Sequence, residues 1–370
     1  MKLPKGFLAS GIRAGIRKKR PDLGLIICEG GANAAAVFTQ NKFQAAPVVL
    51  SRASLKKSGG RVRAVVVNAG CANAITGREG LEAAKRVRSR VAELLDCAEN
   101  DVFQASTGVI GVVLPDKLIR HALPGSVARL SAGGGEALSH AILTTDVGPK
   151  VAQATFTIDG RRARIFGVAK GAGMIHPNMA TMLAFVMTDA EVAPAKLQTS
   201  LKQAVDQSFN AISVDGDTST NDTVLVMASG KVGNAANADL TDFQRALDAV
   251  CRELAWLIVR DGEGATRVME IEVTGAKSEK DAKLAAHAVA TSPLVKTALH
   301  GGDPNWGRVA MAIGKCSDDT DIDQDTVVIR FGDNEVYPRL LDDDALAGLS
   351  SYMRGADVRI HVSLSTGDAD

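Results

Sequence analysis

The stretch Lys170-Gly171-Ala172-Gly173-Met174-Ile175-His176-Pro177-Asn178-Met179-Ala180-Thr181-Met182-Leu183-Ala184-Phe185 joins a glycine turn, a proline and an Ala-Thr pair to an apolar run of strand character. A chain that cuts its own backbone and then uses the new terminal residue as a nucleophile has this pattern. A threonine hydroxyl is a poor nucleophile at neutral pH and needs a base beside it. At a chain terminus its own α-amine supplies that base. A free α-amine titrates at about 7.7–8.0, so much of it is neutral near working pH; inside an intact chain the same nitrogen is an amide and has no such role. Function therefore turns on the Ala180–Thr181 bond, and the bland alternative is an ordinary strand start.

Working outward, residues 151–158 and 162–170 predict a hairpin about Asp159-Gly160, a strong turn pair. Residues 182–188 and 223–228 read as strands, with a helix over 194–208 between them. Apolar residues at 243, 247, 250, 254, 257 and 258 predict a helix over 242–260, with Thr241 and Gln244 as a capping box. Upstream, strands are expected at 23–28, 34–39, 47–51, 63–68 and 102–106, and a helix at 78–95. A short helix over 116–123 should stop at Pro124-Gly125, with a further turn at 126–130 and a loop at 131–135. Downstream, a strand at 268–274, a Ser278-capped helix to about 290 and a helix after Pro293 precede strands at 309–313, 326–331 and 358–363. This mixture predicts an α/β or α+β sandwich, with a domain boundary near residues 275–278.

A length of 370 residues gives ample core and argues for two or three domains. Apolar residues make up 46% and aromatics only 4%, so that core is built from Ala, Val, Leu and Ile. The net charge of +1 gives no support for nucleic-acid or membrane-surface binding. Arg17-Lys18-Lys19-Arg20 reads as a solvated turn, since no apolar segment of a signal peptide accompanies it. The expectation is a cytoplasmic protein. Cysteines at 28, 71, 97, 251 and 316 form no CxxC, and the six histidines show neither HxxxH nor HExxH spacing, so neither a metal nor a redox motif is indicated.

Thr107-Gly108 follows a strand end, where backbone N–H groups at a glycine turn can face a developing oxyanion; the alternative is a plain turn. Gly171 and Gly173 do not form a dinucleotide fingerprint, because Pro177 stands where the phosphate-binding helix should run. The run Asp215-Gly216-Asp217-Thr218-Ser219-Thr220-Asn221-Asp222 mimics a calcium loop but lacks glycine at its sixth position and glutamate at its twelfth. Self-satisfied Asx and Ser/Thr turns are expected there. Cys71 reads as a buried thiol rather than a partner of His176. Asp261-Gly262-Glu263-Gly264-Ala265-Thr266-Arg267 is either a glycine-capped helix end or a carboxylate beside a bound cation.

Together these segments resemble the ornithine acetyltransferase (glutamate N-acetyltransferase, ArgJ) family. The resemblance rests on Asn68-Ala69-Gly70-Cys71-Ala72-Asn73-Ala74, Ser106-Thr107-Gly108-Val109-Ile110-Gly111, Thr144-Thr145-Asp146, residues 170–185, Val214 through Asp222, Asp261 through Thr266, and Asp303-Pro304-Asn305-Trp306-Gly307-Arg308. Each motif is weak alone, and their order is specific. The resemblance implies cleavage at Ala180–Thr181 into an α-chain of residues 1–180 and a β-chain of 181–370, with Thr181 as nucleophile and Thr107 and Gly108 as the oxyanion hole. It implies substrate contacts from Thr144 or Thr145, Lys170, Thr181 and Glu263. The implied reaction carries acetyl from N2-acetylornithine through an acetyl-threonine to L-glutamate, without a cofactor, and acetyl-CoA is a possible second donor. The implied fold is a DmpA/ArgJ-like αββα sandwich with a smaller C-terminal α/β domain, divided as 1–275 and 276–370 and assembled as an α2β2 heterotetramer. An amidase or aminopeptidase of the same nucleophile type, and an uncut inactive precursor or binding protein, are the alternatives. Two departures stand out. Cys71 replaces the family's usual asparagine, and the family's C-terminal substrate contacts have no counterpart before Asp370.

Overall fold

Alternating apolar residues in the strands set the layers of the molecule. The computed structural model describes residues 1–176, 182–316, 322–339 and 341–370, in two compact units, Met1–Glu263 and Gly264–Asp370. In the first unit, β1 (Phe7–Ile12), β2 (Leu23–Phe38), β3 (Arg61–Cys71), β4 (Val102–Val109), β5 (Lys150–Ile158), β6 (Arg161–Lys170), β7 (Leu183–Thr188) and β8 (Thr223–Ala228) share one hydrogen-bonded sheet. Its order is β4-β3-β2-β8-β7-β6-β5, with β1 also on β2. The long β2 is the spine. Residues 23–27 pair with β3, residues 23–28 with β1, and residues 33–38 with β8. The register shifts between Ile27 and Ala32, and an irregularity of this kind bends a strand.

The helices of this unit are α1 (Ala46–Lys57), α2 (Gly77–Leu95), α3 (Asp116–Val127), α4 (Gly135–Ala141), α5 (Pro194–Asp206) and α6 (Thr241–Arg260). Leu183, Phe185 and Met187 of β7 and Leu225 and Met227 of β8 share a core with Val65, Val67 and Phe103 from the other half of the sheet. The two halves therefore face each other. The opposite phase, Ala184, Val186, Val224 and Val226, packs with Leu197 and Leu201 of α5 and Leu247, Val250 and Leu254 of α6. On the far side, Ala64 and Val66 pack with Val87 and Val91 of α2 and Ile119 and Leu123 of α3. Helix, sheet, sheet and helix make the αββα sandwich, as the period-two alternation of β7 and β8 requires.

The second unit holds β9 (Val268–Thr274), α7 (Glu279–Ala290), α8 (Pro293–Gly301), α9 (Trp306–Gly314), β10 (Val328–Phe331), β11 (Asn334–Tyr337), α10 (Asp343–Met353) and β12 (Asp357–Ser363). Its sheet runs β11-β10-β12-β9, over a core that includes Val289, Leu299, Ile313, Phe331 and Ile360. Because β9 pairs with β12 from Val268↔Asp357 to Thr274↔Ser363, it belongs here. The division falls at Glu263/Gly264 and not at 275–276.

Several local expectations are corrected. Residues 47–51 are not a strand but part of α1: Pro47 sits in its first turn, where a missing N–H is harmless, and Pro47, Val48, Ser51 and Ser54 form its buried face. Residues 309–313 lie in α9, whose start is capped by Asn305 accepting from the Arg308 N–H at 3.3 Å; a short apolar run does not separate helix from strand. Pro124 lies inside α3, which continues because Ile119, Leu123 and Ser126 are buried and the Ser126 and Ser10 hydroxyls meet at 2.8 Å. At α6 no capping box forms. Thr241 donates its N–H and hydroxyl to Asp239, and Gln244 turns to Asp248 and Ser200.

Phe185 is fully buried between the sheet halves. Phe185→Ala should lower unfolding free energy by about 3–5 kcal/mol through lost burial and a residual cavity. Urea unfolding checks this, and a loss under about 1 kcal/mol would show that the inter-sheet core is not packed as described.

Candidate active site

The site is built where the end of β4 meets the end of β6. Strand β6 finishes at Lys170, which pairs with Leu183 of β7, and Leu183 in turn pairs with Thr223 of β8. Residues ahead of β7 and β8 are thereby brought beside Lys170. From the other half, Ser106 and Thr107 arrive on β4, parallel to β3. Asn221 ties the halves together: its side-chain amide donates to the carbonyls of Ala72 at 2.7 Å and Ser106 at 2.8 Å. Asn68 extends this tie by accepting from the Ser106 hydroxyl at 2.6 Å and donating to the Cys71 carbonyl.

The Lys170 ammonium is 3% exposed and donates to the Thr107 hydroxyl oxygen at 3.3 Å. That bond occupies a lone pair of Thr107 and leaves its O–H free to donate elsewhere, beside a positive charge. Gly108 follows at φ +131°, and a Cβ there would come within 2.3 Å of the Gly70 carbonyl carbon. Only glycine fits that approach of β4 to β3. Glu263 donates its N–H to the Ala172 carbonyl at 2.7 Å, and its carboxylate covers Gly173, where any Cβ would lie 2.6 Å from it. Thr107, Gly108, Lys170 and Glu263 are thus gathered around the turn after β6.

Thr144 and Thr145 lie on the loop between α4 and β5, with Thr145 exposed. The Thr144 N–H and hydroxyl both donate to Asp146 Oδ2, at 2.8 and 3.4 Å. Asp146 Oδ1 accepts from the Gly171 N–H at 2.7 Å and from Lys150 Nζ at 2.7 Å. Lys150 also donates to Asp261, which accepts the Val147 N–H. Burial alone would raise the Asp146 carboxyl, but the Lys170 and Lys150 ammoniums, with the Thr144 N–H, outweigh it and hold it at about 2. Burial pushes the Lys170 ammonium down, opposed by Asp146, Asp222 and Glu263.

Ala180 and Thr181 lie outside the described residues, but both flanks of that segment are held by one run of sequence. Asp215 accepts the N–H groups of Met174 and Ile175, and Asp222 accepts the Met182 N–H at 3.1 Å. The expected Asx and Ser turns are present, Asp215 accepting the Asp217 N–H and the Ser219 hydroxyl the Asn221 N–H, yet Asp215, Asn221 and Asp222 also reach across the fold. Burial pushes the Asp222 carboxyl well up, against the Met182 N–H and the Lys170 charge. Among the described residues its second oxygen has no hydrogen-bond partner.

Sequence reasoning gave no site role to Lys150, nor to Asp146, Asn221 and Asp222, although those three stand in the quoted motifs. The basic run is a bend with residues 18–20 exposed, as expected, but Arg17 also donates to the carbonyls of Leu143 and Thr144, and Arg20 to that of Asp146. A signal for Lys150 was available, because it shares the inward phase of β5 with Ala152, Phe156 and Ile158. Cys71 is a buried thiol donating to the Val112 carbonyl at 3.2 Å, and burial raises its pKa, the opposite of an activated nucleophile.

The depressed Asp146 value has a consequence for acid stability. A carboxyl at about 2 in the fold, against 3.8 as its ordinary value, contributes fully above 3.8 and loses that contribution as pH falls through about 2. The component is about 2 kcal/mol. Urea midpoints followed down that window should fall more steeply for the native chain than for Asp146→Asn. Parallel curves would refute the assignment.

The ArgJ family model matches residues 8–370. The arginine biosynthesis bifunctional protein ArgJ of Caldanaerobacter subterraneus is 47% identical over 340 residues, covering 91% of this chain and 84% of that protein. Its namesake from Geobacillus kaustophilus is 45% identical, covering 99% and 90%. The solved ornithine acetyltransferase of Mycobacterium tuberculosis, complexed with ornithine, is 34% identical, covering 48% of this chain and 92% of that chain, with a TM-score of 0.41. With a family model matched almost from end to end and relatives this similar along their length, the chain belongs to the ArgJ family.

Proposed function

We propose that this chain is an acetyltransferase of arginine biosynthesis that cuts itself at Ala180–Thr181 and moves acetyl from N2-acetylornithine to L-glutamate. The observation that carries the reading is the buried Lys170–Thr107 hydrogen bond, in a member of this family. Thr181 Oγ attacks the acetyl carbonyl, and its α-amine takes the hydroxyl proton and passes it to the departing ornithine amine. The free Thr107 O–H and the backbone at Gly108 receive the oxyanion; one such donor contributes about 3–4 kcal/mol to the transition state. The glutamate amine then attacks the acetyl-threonine ester, N-acetylglutamate leaves, and the Thr181 hydroxyl is restored.

Lys170 is the cation for the α-carboxylate common to both substrates, and Glu263 the anion for the ornithine side-chain ammonium. Thr144 or Thr145 completes the contacts. The name bifunctional carried by the relatives supports acetyl-CoA as a second donor. The working form in this reading is a cytoplasmic α2β2 heterotetramer.

Denaturing mass analysis of the purified protein should show fragments 1–180 and 181–370, and Thr181→Ala should remain one chain. A wild type that stays uncut while transferring acetyl would end the nucleophile assignment. Acetylornithine should be consumed only when glutamate, or acetyl exchange with ornithine, provides an acceptor. Acetate released at the same rate without glutamate would make the protein a hydrolase.

A further inference from the structure

Asp146 touches two segments that the proposed reading assigns to substrate and reaches a third through Lys150. Its Oδ2 holds the Thr144 N–H and hydroxyl, its Oδ1 holds the Gly171 N–H directly after Lys170, and the same Oδ1 receives Lys150 Nζ. Lys150 carries the connection on to Asp261, two residues before Glu263. Asp146 and Lys150 are 1% and 2% exposed, and of the three charged groups only Asp261, at the end of the set, is partly open to solvent. The loop is gripped from its other side by Arg17 and Arg20, whose guanidiniums take the carbonyls of Leu143, Thr144 and Asp146. Arg17 is itself seated by Asp22, which accepts its backbone N–H at 2.7 Å.

We propose that Asp146, with Lys150 and Asp261, is the positioning hub of the site: it holds the Thr144–Thr145 loop, the Lys170–Gly171 turn and the Glu263 loop in one register, and it keeps a negative charge beside Lys170. The proposal rests on the acetyl-transfer reading for its activity test, but the hub itself is a feature of the fold. The charged groups facing Lys170 are Asp146, Lys150, Asp222 and Glu263. Of the three acids, Asp146 is the buried one held in its charged form, since burial raises Asp222 and Glu263 is exposed. Removing the Asp146 charge therefore lets Lys170 lose its proton at lower pH.

The test compares wild type, Asp146→Asn and Asp261→Asn as processed enzymes. In Asp146→Asn, one amide must replace a carboxylate that accepts donors on both oxygens. KM for acetylornithine and for glutamate should both rise, with kcat/KM down about tenfold to a hundredfold, the scale of a small misplacement of substrate-holding groups. The pH above which KM climbs should move to lower pH. Asp261→Asn, at the more accessible end, should shift the same limb in the same direction by less, and it carries the test if Asp146→Asn fails to fold. A merely structural role would lower the yield of active enzyme, and so apparent kcat, while leaving both KM values and the pH limb in place; that result overturns the proposal. Hydrogen exchange at the Thr144 and Gly171 amides reads the hub whether or not the chain transfers acetyl. Both amides should lose protection in the Asp146 variant, or in Asp261→Asn where that one alone folds, and unchanged protection overturns the hub on its own. An inactive wild type in which these amides respond as expected would instead count against the acetyl-transfer reading and leave the hub standing.

Discussion

A lysine ammonium almost without solvent, Lys170 at the end of β6, is the constraint to which the rest of the site answers. Taking such an ion from water costs several kcal/mol, and it remains charged only where carboxylates and hydrogen bonds replace its hydration. Asp146 supplies the nearby negative charge and Thr107 supplies an acceptor. Asp146 is itself buried and is held in its charged form by Lys170 and Lys150. The charges form a chain in which each member needs the next, ending at the partly exposed Asp261. Such a network contributes little net stability compared with an apolar core of the same volume. What it contributes is a single arrangement of three loops.

The sandwich explains why this chain of charges can exist at one place. Strand β2 belongs to both halves of the sheet, so the halves are joined covalently as well as through their shared core. Apolar side chains fill the space between them along most of the strands. At the strand ends that filling stops, and Asn221 replaces it with two hydrogen bonds from one half to the other. The polar site begins where the inter-sheet core runs out. Its members come from β4, β6 and the loops before β5, β7 and β8, far apart in sequence and adjacent only in this topology.

Much of the layer order was legible in the sequence, because period-two and period-3.6 alternation are local properties. Strands β3 to β8 and helices α2, α5 and α6 are at the expected places, within a few residues at their ends. The failures have physical causes. Runs of four or five apolar residues, as in α1 and α9, fit either periodicity, and the deciding facts were a proline in the first helical turn and an asparagine cap. The boundary at Glu263 was missed because a parallel strand pair, β9 with β12, joins residues about ninety positions apart. In the site, Lys170, Thr107, Gly108 and Glu263 were legible through motif order, and the structure brings them together. Asp146 and Asp222 stood in the same motifs without a role, since an acid in a loop reads as solvated unless its burial is known, and Lys150 was passed over although its inward phase on β5 was readable. The basic run at 17–20 is the expected exposed bend, and only the carbonyls that Arg17 and Arg20 grip were out of view.

The run from Val214 to Asp222 holds the chain on both sides of residues 177–181. Asp215 fixes two backbone N–H groups on the near side of residues 177–181, and Asp222 fixes the N–H of Met182 on the far side. The two acids belong to one short run, and Asn221 anchors that run to the carbonyls of Ala72 and Ser106, next to Thr107 and Gly108. A displacement of the run would therefore move both flanks of the segment and the tie to β4 together. Among the described residues the second oxygen of Asp222 has no hydrogen-bond partner, and burying a carboxyl group costs stability through its lost hydration. Burial lowers that cost by favouring the neutral carboxyl, which is how a group required at a fixed position can persist in an apolar surround. The fold retains the cost at the position that holds Met182, one peptide bond beyond the residue on which the proposed chemistry depends.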